Sequence, residues 1–404
     1  MTLKTLDDLP PGGRLLVRLD LNSPVEDGVV RDNRRFDRHA ETVRELLATD
    51  HAVVCMAHQG RPGEADFVSL RQHAAILGGH VGREVAFVPD TSGEAAIEAI
   101  EALCDGEVLL IENVRMCEGE LPEEDPETKA NTPFVRALAP LFDAYVNDAY
   151  SVAHRSHAST VGFPYVLPGY AGRVMTEEYE YNTAVASREF DGLVTMVVGG
   201  TKAGDVIDVM DHLDGKVDRF LLGGVAGELF LRAAGYPVGM DVDDAGLFDD
   251  QWTQNAGTIR GLLDERGDAI SLAVDLAYED DDGERAEVAV ADIEEKTRSF
   301  LDVGSETVAA YDPVIRDSEA VFVKGALGLF EDERFSVGTV GVLEAIAETD
   351  CFSVVGGGDT SRAIGMYGLD ESDFSHVSVA GGAYIRALTG DPLPAIEALE
   401  ASDP

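Results

Sequence analysis

Cys351-Phe352-Ser353-Val354-Val355-Gly356-Gly357-Gly358-Asp359-Thr360 reads as a strand, a glycine loop and the start of a helix. Phe352–Val355 is a short apolar run of the kind a strand buried on both faces shows. Asp359 and Thr360 are favourable N-cap residues and predict a helix over Ser361–Tyr367. Strand, loop and helix start together aim bare amides and a positive helix end at one spot, which suits an anion. A carboxylate fits among those amides if a divalent cation lies between it and the anion, as in a metal–nucleotide complex. The simpler reading of the stretch alone is a tight turn with an aspartate cap.

The same rhythm runs outward along the chain. In the first half, apolar runs at Leu15–Leu19, Ala52–Ala57, Val85–Val88, Val108–Ile111 and Ala144–Asn147 predict strands. Helical patterns at Arg35–Ala48, Leu70–Leu77, Glu94–Ala102 and Thr132–Leu138 separate them, as in βαβ crossovers that build a parallel sheet. A long helix over Val174–Ser187, preceded by Gly169-Tyr170-Ala171-Gly172, suits a linker with a glycine hinge. The second half repeats the pattern at Leu193–Val198, Phe220–Leu222, Val321–Val323 and Val377–Val379, with a hairpin at Leu272–Tyr278 and Ala286–Val290. Glycine pairs or triplets follow several of these strands, yet none forms a P-loop or the dinucleotide fingerprint.

Ligands of such sheets bind past the carboxyl ends of the strands. In the first half those positions hold Asp20, Asn22, His58, Arg61, Arg115, His154 and Arg155, and Arg35 opens the first helix. Guanidinium forks bind phosphate and carboxylate, and clustering them without a ligand costs mutual repulsion. The set therefore reads as a basin for a small, multiply anionic substrate. His154 and His157 are candidate bases or metal ligands, with an orienting role for His154 and a structural one for His157 preferred.

The 404 residues suit two domains, and a 45% hydrophobic content suits real cores. With 76 acidic against 31 basic residues the formal charge is -45, which excludes nucleic acid and anionic membranes as partners. Only six residues are lysine. Acid spread over the whole chain suits molar salt, where a Debye length of about 3 Å screens like-charge repulsion. The four cysteines show no metal-type spacing and read as reduced; no apolar run approaches a membrane span. A soluble cytoplasmic protein is expected.

Seven motifs in order resemble the phosphoglycerate kinase family: Arg-Leu-Asp-Leu-Asn-Ser-Pro (18–24), His-Gln-Gly-Arg-Pro (58–62), Glu-Asn-Val-Arg (112–115), Tyr-Val-Asn-Asp-Ala-Tyr (145–150) with His-Arg-Ser-His (154–157), Gly-Gly-Thr-Lys (199–202), Gly-Leu-Phe-Glu (328–331) and Gly-Gly-Gly-Asp-Thr (356–360). The resemblance implies an α/β fold of two Rossmann-like doubly wound parallel-sheet domains joined by a helix or hinge. The implied division is a phosphoglycerate-binding domain at 1–168, a linker at 169–188, a nucleotide-binding domain at 189–388, and a segment at 389–404 returning to the first domain. It implies reversible Mg²⁺-dependent phosphoryl transfer between 1,3-bisphosphoglycerate/ADP and 3-phosphoglycerate/ATP in a closed interdomain cleft, by a monomer. Substrate contacts fall on Asp20, Asn22, Arg35, His58, Arg61, Arg115 and Arg155, with Arg35 and Lys202 catalytic. Gly223 and Gly224 line the adenine pocket, Glu331 holds the ribose, and Gly356, Gly357, Gly358 and Thr360 lie by the phosphates. Asp359 is the implied magnesium ligand.

Three positions depart from the family pattern. Val206 stands where a second lysine is common, Lys324-Gly325-Ala326 replaces Asn-Gly-Pro, and Val379-Ala380-Gly381-Gly382 replaces Thr-Gly-Gly-Gly. One reading makes Lys324 a nucleotide-site cation that compensates for Val206, so that Val206→Lys would rescue its loss; the other makes Lys324 an exposed drift position. A nucleotide-binding oxidoreductase and a non-catalytic binding protein of the same fold are the rival functions. 3-phosphoglycerate-dependent ATP consumption separates them. The charge makes its own demand: dialysis from molar KCl into dilute buffer should abolish activity and the cooperative unfolding transition, and retention of both would refute adaptation to salt.

Overall fold

The computed structural model describes residues 3–239, 245–294 and 299–402; Lys296 lies outside them. The chain divides into one unit of Met1–Glu180 with Pro392–Pro404 and another of Tyr181–Asp391.

The first unit is built on strands β1 (Gly13–Arg18), β2 (His51–Met56), β3 (Val85–Phe87), β4 (Val108–Leu110), β5 (Ala144–Asn147) and β6 (Gly169–Ala171), ordered β3-β4-β2-β1-β5-β6. Every pairing is parallel. All six residues of β2 are buried, as expected for an inner strand covered on both faces. Helix Arg34–Ala48 starts at Asn33, whose side chain accepts the Arg35 amide at 2.9 Å, and it buries Phe36, Ala40, Val43 and Leu46. The helix Pro394–Ala401 returns to this unit, where the Ala395 amide donates to the Ala153 carbonyl at 3.0 Å.

The second unit carries β7 (Leu193–Val198), β8 (Arg219–Leu222), β9 (Ile270–Ser271), β10 (Asp275–Glu279), β11 (Arg285–Ala289), β12 (Asp302–Val303), β13 (Ser318–Lys324), β14 (Phe352–Gly356) and β15 (His376–Val377). Its main sheet runs β9-β8-β7-β13-β14-β15, all parallel, while β10, β11 and β12 form a small antiparallel sheet. Strand order therefore reverses between β7 and β13 here, and between β1 and β5 in the first unit. At each reversal neighbouring crossovers lie on opposite faces and leave a crevice at the carboxyl ends.

Two sequence expectations need correction. The helix after β14 begins at Gly358, with Gly357 as its cap at φ 103°, so Asp359 and Thr360 lie in its first turn and do not cap it. Gly169–Ala171 is an edge strand paired with β5, because residues after the Pro168 turn reach free carbonyls at the end of that sheet.

Gly356 has a steric reason: a Cβ there would lie inside the buried Tyr384 ring, whose hydroxyl donates to the Val323 carbonyl at 3.2 Å. Gly356→Ala should cost about 1–3 kcal/mol by denaturant titration, the usual effect of overpacking. Adding Tyr384→Leu should recover part of that loss.

Candidate active site

In the first unit the carboxyl ends of β1, β2, β4 and β5 bring the expected residues together. Asp20 is buried; its Oδ2 accepts from Arg35 Nη1 at 2.6 Å and from the Ser151 hydroxyl. Burial opposes its charge, yet the Arg35 guanidinium, aided by the Ser151 hydroxyl, holds the carboxyl well below the usual carboxylate range. Asn22 Oδ1 accepts the Gly60 amide at 2.9 Å, and Arg115 donates to the Gly60 carbonyl at 2.5 Å, so the loops after β1, β2 and β4 are tied to one another. Arg61 is exposed, and Arg155 is half-buried with Glu123 at 3.7 Å.

The electrostatic signature of this basin is Arg115. Burial, Arg18 and Arg155 lead the causes that lower its pKa to about 10, and Arg61 adds to them. Guanidinium groups held this close are poised for an anion that would relieve them.

His58 is 5% exposed and held well below its ordinary pKa by burial, against the pull of Asp20. Arg18 Nη2 lies 3.2 Å from His58 Nδ1. A guanidinium can only donate, so the neutral ring accepts at Nδ1 and carries its proton on Nε2. His157 is buried and pushed to about 3 by burial, then by Arg155 and Arg18, which suits the structural role. Among the described residues no group of three or more His, Cys, Asp and Glu side chains could hold a metal, so neither histidine belongs to such a cluster.

Sequence reasoning passed over what lies beneath the basin. Arg18, 1% exposed, donates from Nε to Ser159 Oγ at 3.0 Å, and Ser159 donates to the buried Glu120 at 2.6 Å. In sequence Arg18 falls inside the apolar run Leu15–Leu19 and reads only as part of a strand. The charge in a fully apolar run was the available signal.

In the second unit a cavity of about 310 Å³ lies beside the β7–β13 reversal. Gly223, Gly224, Leu276, Phe300, Ala326 and Leu327 give it apolar walls, a slot for a flat ring, with Glu331 and Asp359 also lining it. Its floor is backbone packed on backbone: the Gly200 amide donates to the Ala326 carbonyl at 2.7 Å, and the Gly224 amide to Leu327 at 3.0 Å. A Cβ on Gly199 would collide with the Ala326 carbonyl. Lys202 is exposed at the start of helix Ala203–His212. Thr360 donates its hydroxyl proton to the Gly356 carbonyl at 2.6 Å, fixing the first turn of its helix to the end of β14.

The carboxylates around this cavity differ. Glu331 lies 3.2 Å from Arg362, and Asp302 is paired with Arg285 at 3.0 Å and raised to about 6 by burial. Asp359 is exposed on the cavity wall and has no ion-pair partner among the described residues. One uncommitted carboxylate beside helix-start amides fits Mg²⁺, which takes one or two carboxylates and fills its shell with phosphate and water oxygens.

Lys324 and Val206 overturn two expectations. Lys324 is only 8% exposed, so it is no surface drift position; its Nζ lies 3.3 Å from Asp205 Oδ2. Burial lowers its pKa against Asp205, with Lys202 adding to the lowering. Val206 is fully buried in the helix that Lys202 opens, so a lysine there would put an ammonium into the core and cannot be expected to rescue anything.

The profile of the family described as phosphoglycerate kinase matches residues 6–391. The phosphoglycerate kinase of Halorubrum lacusprofundi is 74% identical over 398 residues, covering 98% of each chain. That of Haloarcula marismortui is 70% identical over 400 residues, 99% of this chain and 100% of its own. The crystal structure of phosphoglycerate kinase from Pyrococcus horikoshii OT3 superposes with a TM-score of 0.91 at 30% identity, covering 99% of both chains.

His58, His73 and His157 set a pH dependence. Burial depresses all three, with His73 at about 4 and His157 at about 3, while unfolded histidine titrates near about 6.5. Their contribution is intact above about pH 6.5 and is lost as pH falls, because the unfolded chain then binds the extra protons. Asp302, raised to about 6, acts in the opposite direction between about pH 6 and 4. Denaturant titration in molar KCl should show stability falling from pH 6.5 to 4, with the slope in His73→Gln shallower by about one proton.

Proposed function

The chain belongs to the phosphoglycerate kinase family and transfers a phosphoryl group between the 1,3-bisphosphoglycerate/ADP and 3-phosphoglycerate/ATP pairs, and we propose the following division of that reaction between its two units. The first unit, whose expected extent is 1–168, binds phosphoglycerate; the second, expected at 189–388, binds Mg²⁺–nucleotide. The observation that carries the division is the arginine cluster around Arg115 in one unit, set against the apolar slot edged by Asp359 in the other.

On this reading Arg61, Arg115 and Arg155 neutralise the phosphate of the acceptor, and His58 donates from Nε2. Asp20 and Asn22 set the loop: Asp20 holds Arg35 until the substrate takes the guanidinium over. Arg35 then neutralises charge on the acceptor's phosphoryl group in the first unit, and Lys202 does the same for the terminal phosphate of the nucleotide in the second. The acceptor carboxylate is ionised at neutral pH, so no general base is needed; alignment and charge neutralisation in a dry site suffice. The adenine lies against Gly223 and Gly224 and the ribose near Glu331, which must loosen from Arg362 to accept it. The phosphates face Gly356, Gly357, Gly358 and Thr360. Mg²⁺, held by Asp359, supplies neutralising charge to those phosphates when bound. Lys324 adds a cation from the end of β13. The enzyme acts as a monomer in a salt-rich cytoplasm.

ATP consumption dependent on 3-phosphoglycerate in molar KCl tests the activity. Arg35→Ala should lower kcat by about 10²–10³, as expected for removal of one transition-state donor. Lys324→Met should lower kcat about tenfold or more with little change in the KM for 3-phosphoglycerate. Wild-type turnover from Lys324→Met would exclude that side chain from the site.

A further inference from the structure

Helix Arg34–Ala48 carries more than Arg35. His39, Thr42 and Glu45 follow at three-residue intervals on one face, and the last two bond to Arg173 at the start of helix Arg173–Ser187. Thr42 Oγ1 accepts the Arg173 amide at 3.2 Å, and Glu45 pairs with the Arg173 guanidinium at 2.5 Å.

His39 connects the two regions in a defined order. The Asp20 amide donates to its Nε2 at 3.2 Å, so that nitrogen is an acceptor and the neutral ring has its proton on Nδ1. Nδ1 donates to Asp148 Oδ2 at 2.7 Å. The other oxygen of Asp148 accepts the amides of Val174 at 2.9 Å and Met175 at 3.3 Å, two helix-start donors that have no partner within the helix. His39 is 1% exposed and Asp148 fully buried, so water cannot substitute along this path. Residue 172 is glycine because a Cβ there would collide with the Asp148 carboxylate. Helix Arg173–Ser187 runs through the boundary between the units, which falls after Glu180.

We propose that His39 and Asp148 are positioning residues that couple occupancy of the Asp20–Arg35 loop by phosphoglycerate to the start of the helix carrying the chain into the second unit. The proposal rests on the assignment of that loop to substrate. Asp20 is paired with Arg35 at 2.6 Å, so a substrate that draws Arg35 away must resettle Asp20. The amide of Asp20 is already bonded to His39, and in close-packed surroundings the displacement passes to Asp148 and the two helix amides. Asp148→Asn probes the path without removing the seat. Its carbonyl can still accept from the helix, but its amide group would face Nδ1 as a donor. The His39 proton would then be forced to Nε2, against the Asp20 amide.

The test is backbone amide exchange in molar KCl, with and without 3-phosphoglycerate, on the wild type, His39→Leu and Asp148→Asn, alongside steady-state kinetics. In the wild type, 3-phosphoglycerate should slow exchange at Asn22 and Gly60 and also at Val174 and Met175. Both variants should keep the first effect and lose the second, with the KM for 3-phosphoglycerate raised about tenfold and that for ATP unchanged. Ligand-dependent protection at Val174 and Met175 that survives in Asp148→Asn would overturn the coupling. So would a loss of thermal stability with no change in KM, which marks a purely structural role. Absence of protection at Asn22 and Gly60 in the wild type would instead refute the substrate assignment, and the coupling would fall with it.

Discussion

Repulsion among the guanidinium groups gathered around the half-buried Arg115 is the constraint around which the first unit is arranged. Arg18, Arg61 and Arg155 all depress Arg115, in a chain whose formal charge is -45. A net charge of that sign opposes the approach of an anion only over the distance at which it is felt. In molar salt that distance is about 3 Å, whereas a partly buried cluster acts at contact and is screened far less. Local charge and dryness therefore outweigh the global balance. The cluster is tolerated because it is anchored from below, where Arg18 is tied through Ser159 to Glu120, itself raised by burial against the pull of Arg18.

The second unit meets the same requirement with little side-chain charge. Its strand reversal brings β7 and β13 together, and the chain after each is glycine, so that backbone packs directly on backbone. Amides at helix starts are fixed dipoles that need no reorganisation to face a phosphate. One unit therefore carries a repulsive basin, while the other shows an apolar slot edged by Asp359, which has no ion-pair partner among the described residues.

Much of this was legible in the sequence, for physical reasons particular to each part. Inner strands of parallel sheets are continuous apolar runs, and Ala144–Asn147 and Leu193–Val198 were read to the residue. Residues past strand ends are fixed in space by the strands, so the basin could be assembled from order alone. Short edge strands failed: Gly169–Ala171 has three residues and two small side chains, and only its pairing with β5 makes it a strand. The helix start at Gly358 was misplaced because Gly357 adopts a positive φ that no local propensity announces. The layer beneath the site was invisible for a different reason. Apart from Arg18, whose charge stands in an apolar run, Glu120, His39 and Asp148 are polar groups brought together from distant segments, and nothing in their local pattern tells a buried polar residue from an exposed one.

Lys324 and Val206 show how a cation can change its place of origin. The helix after Lys202 buries Val206, Val209 and Met210, so its inner face has no room for a second ammonium. A lysine at the end of β13 reaches the same reversal with its side chain almost wholly buried, which restricts it more than a helix surface would. Burial and the neighbouring Lys202 both favour loss of its proton, and Asp205 at 3.3 Å opposes them. Asp205 is thus the anionic partner that opposes this loss while no phosphate is present. A phosphate oxygen that takes the ammonium over would exchange one anionic partner for another, without the cost of creating a buried charge.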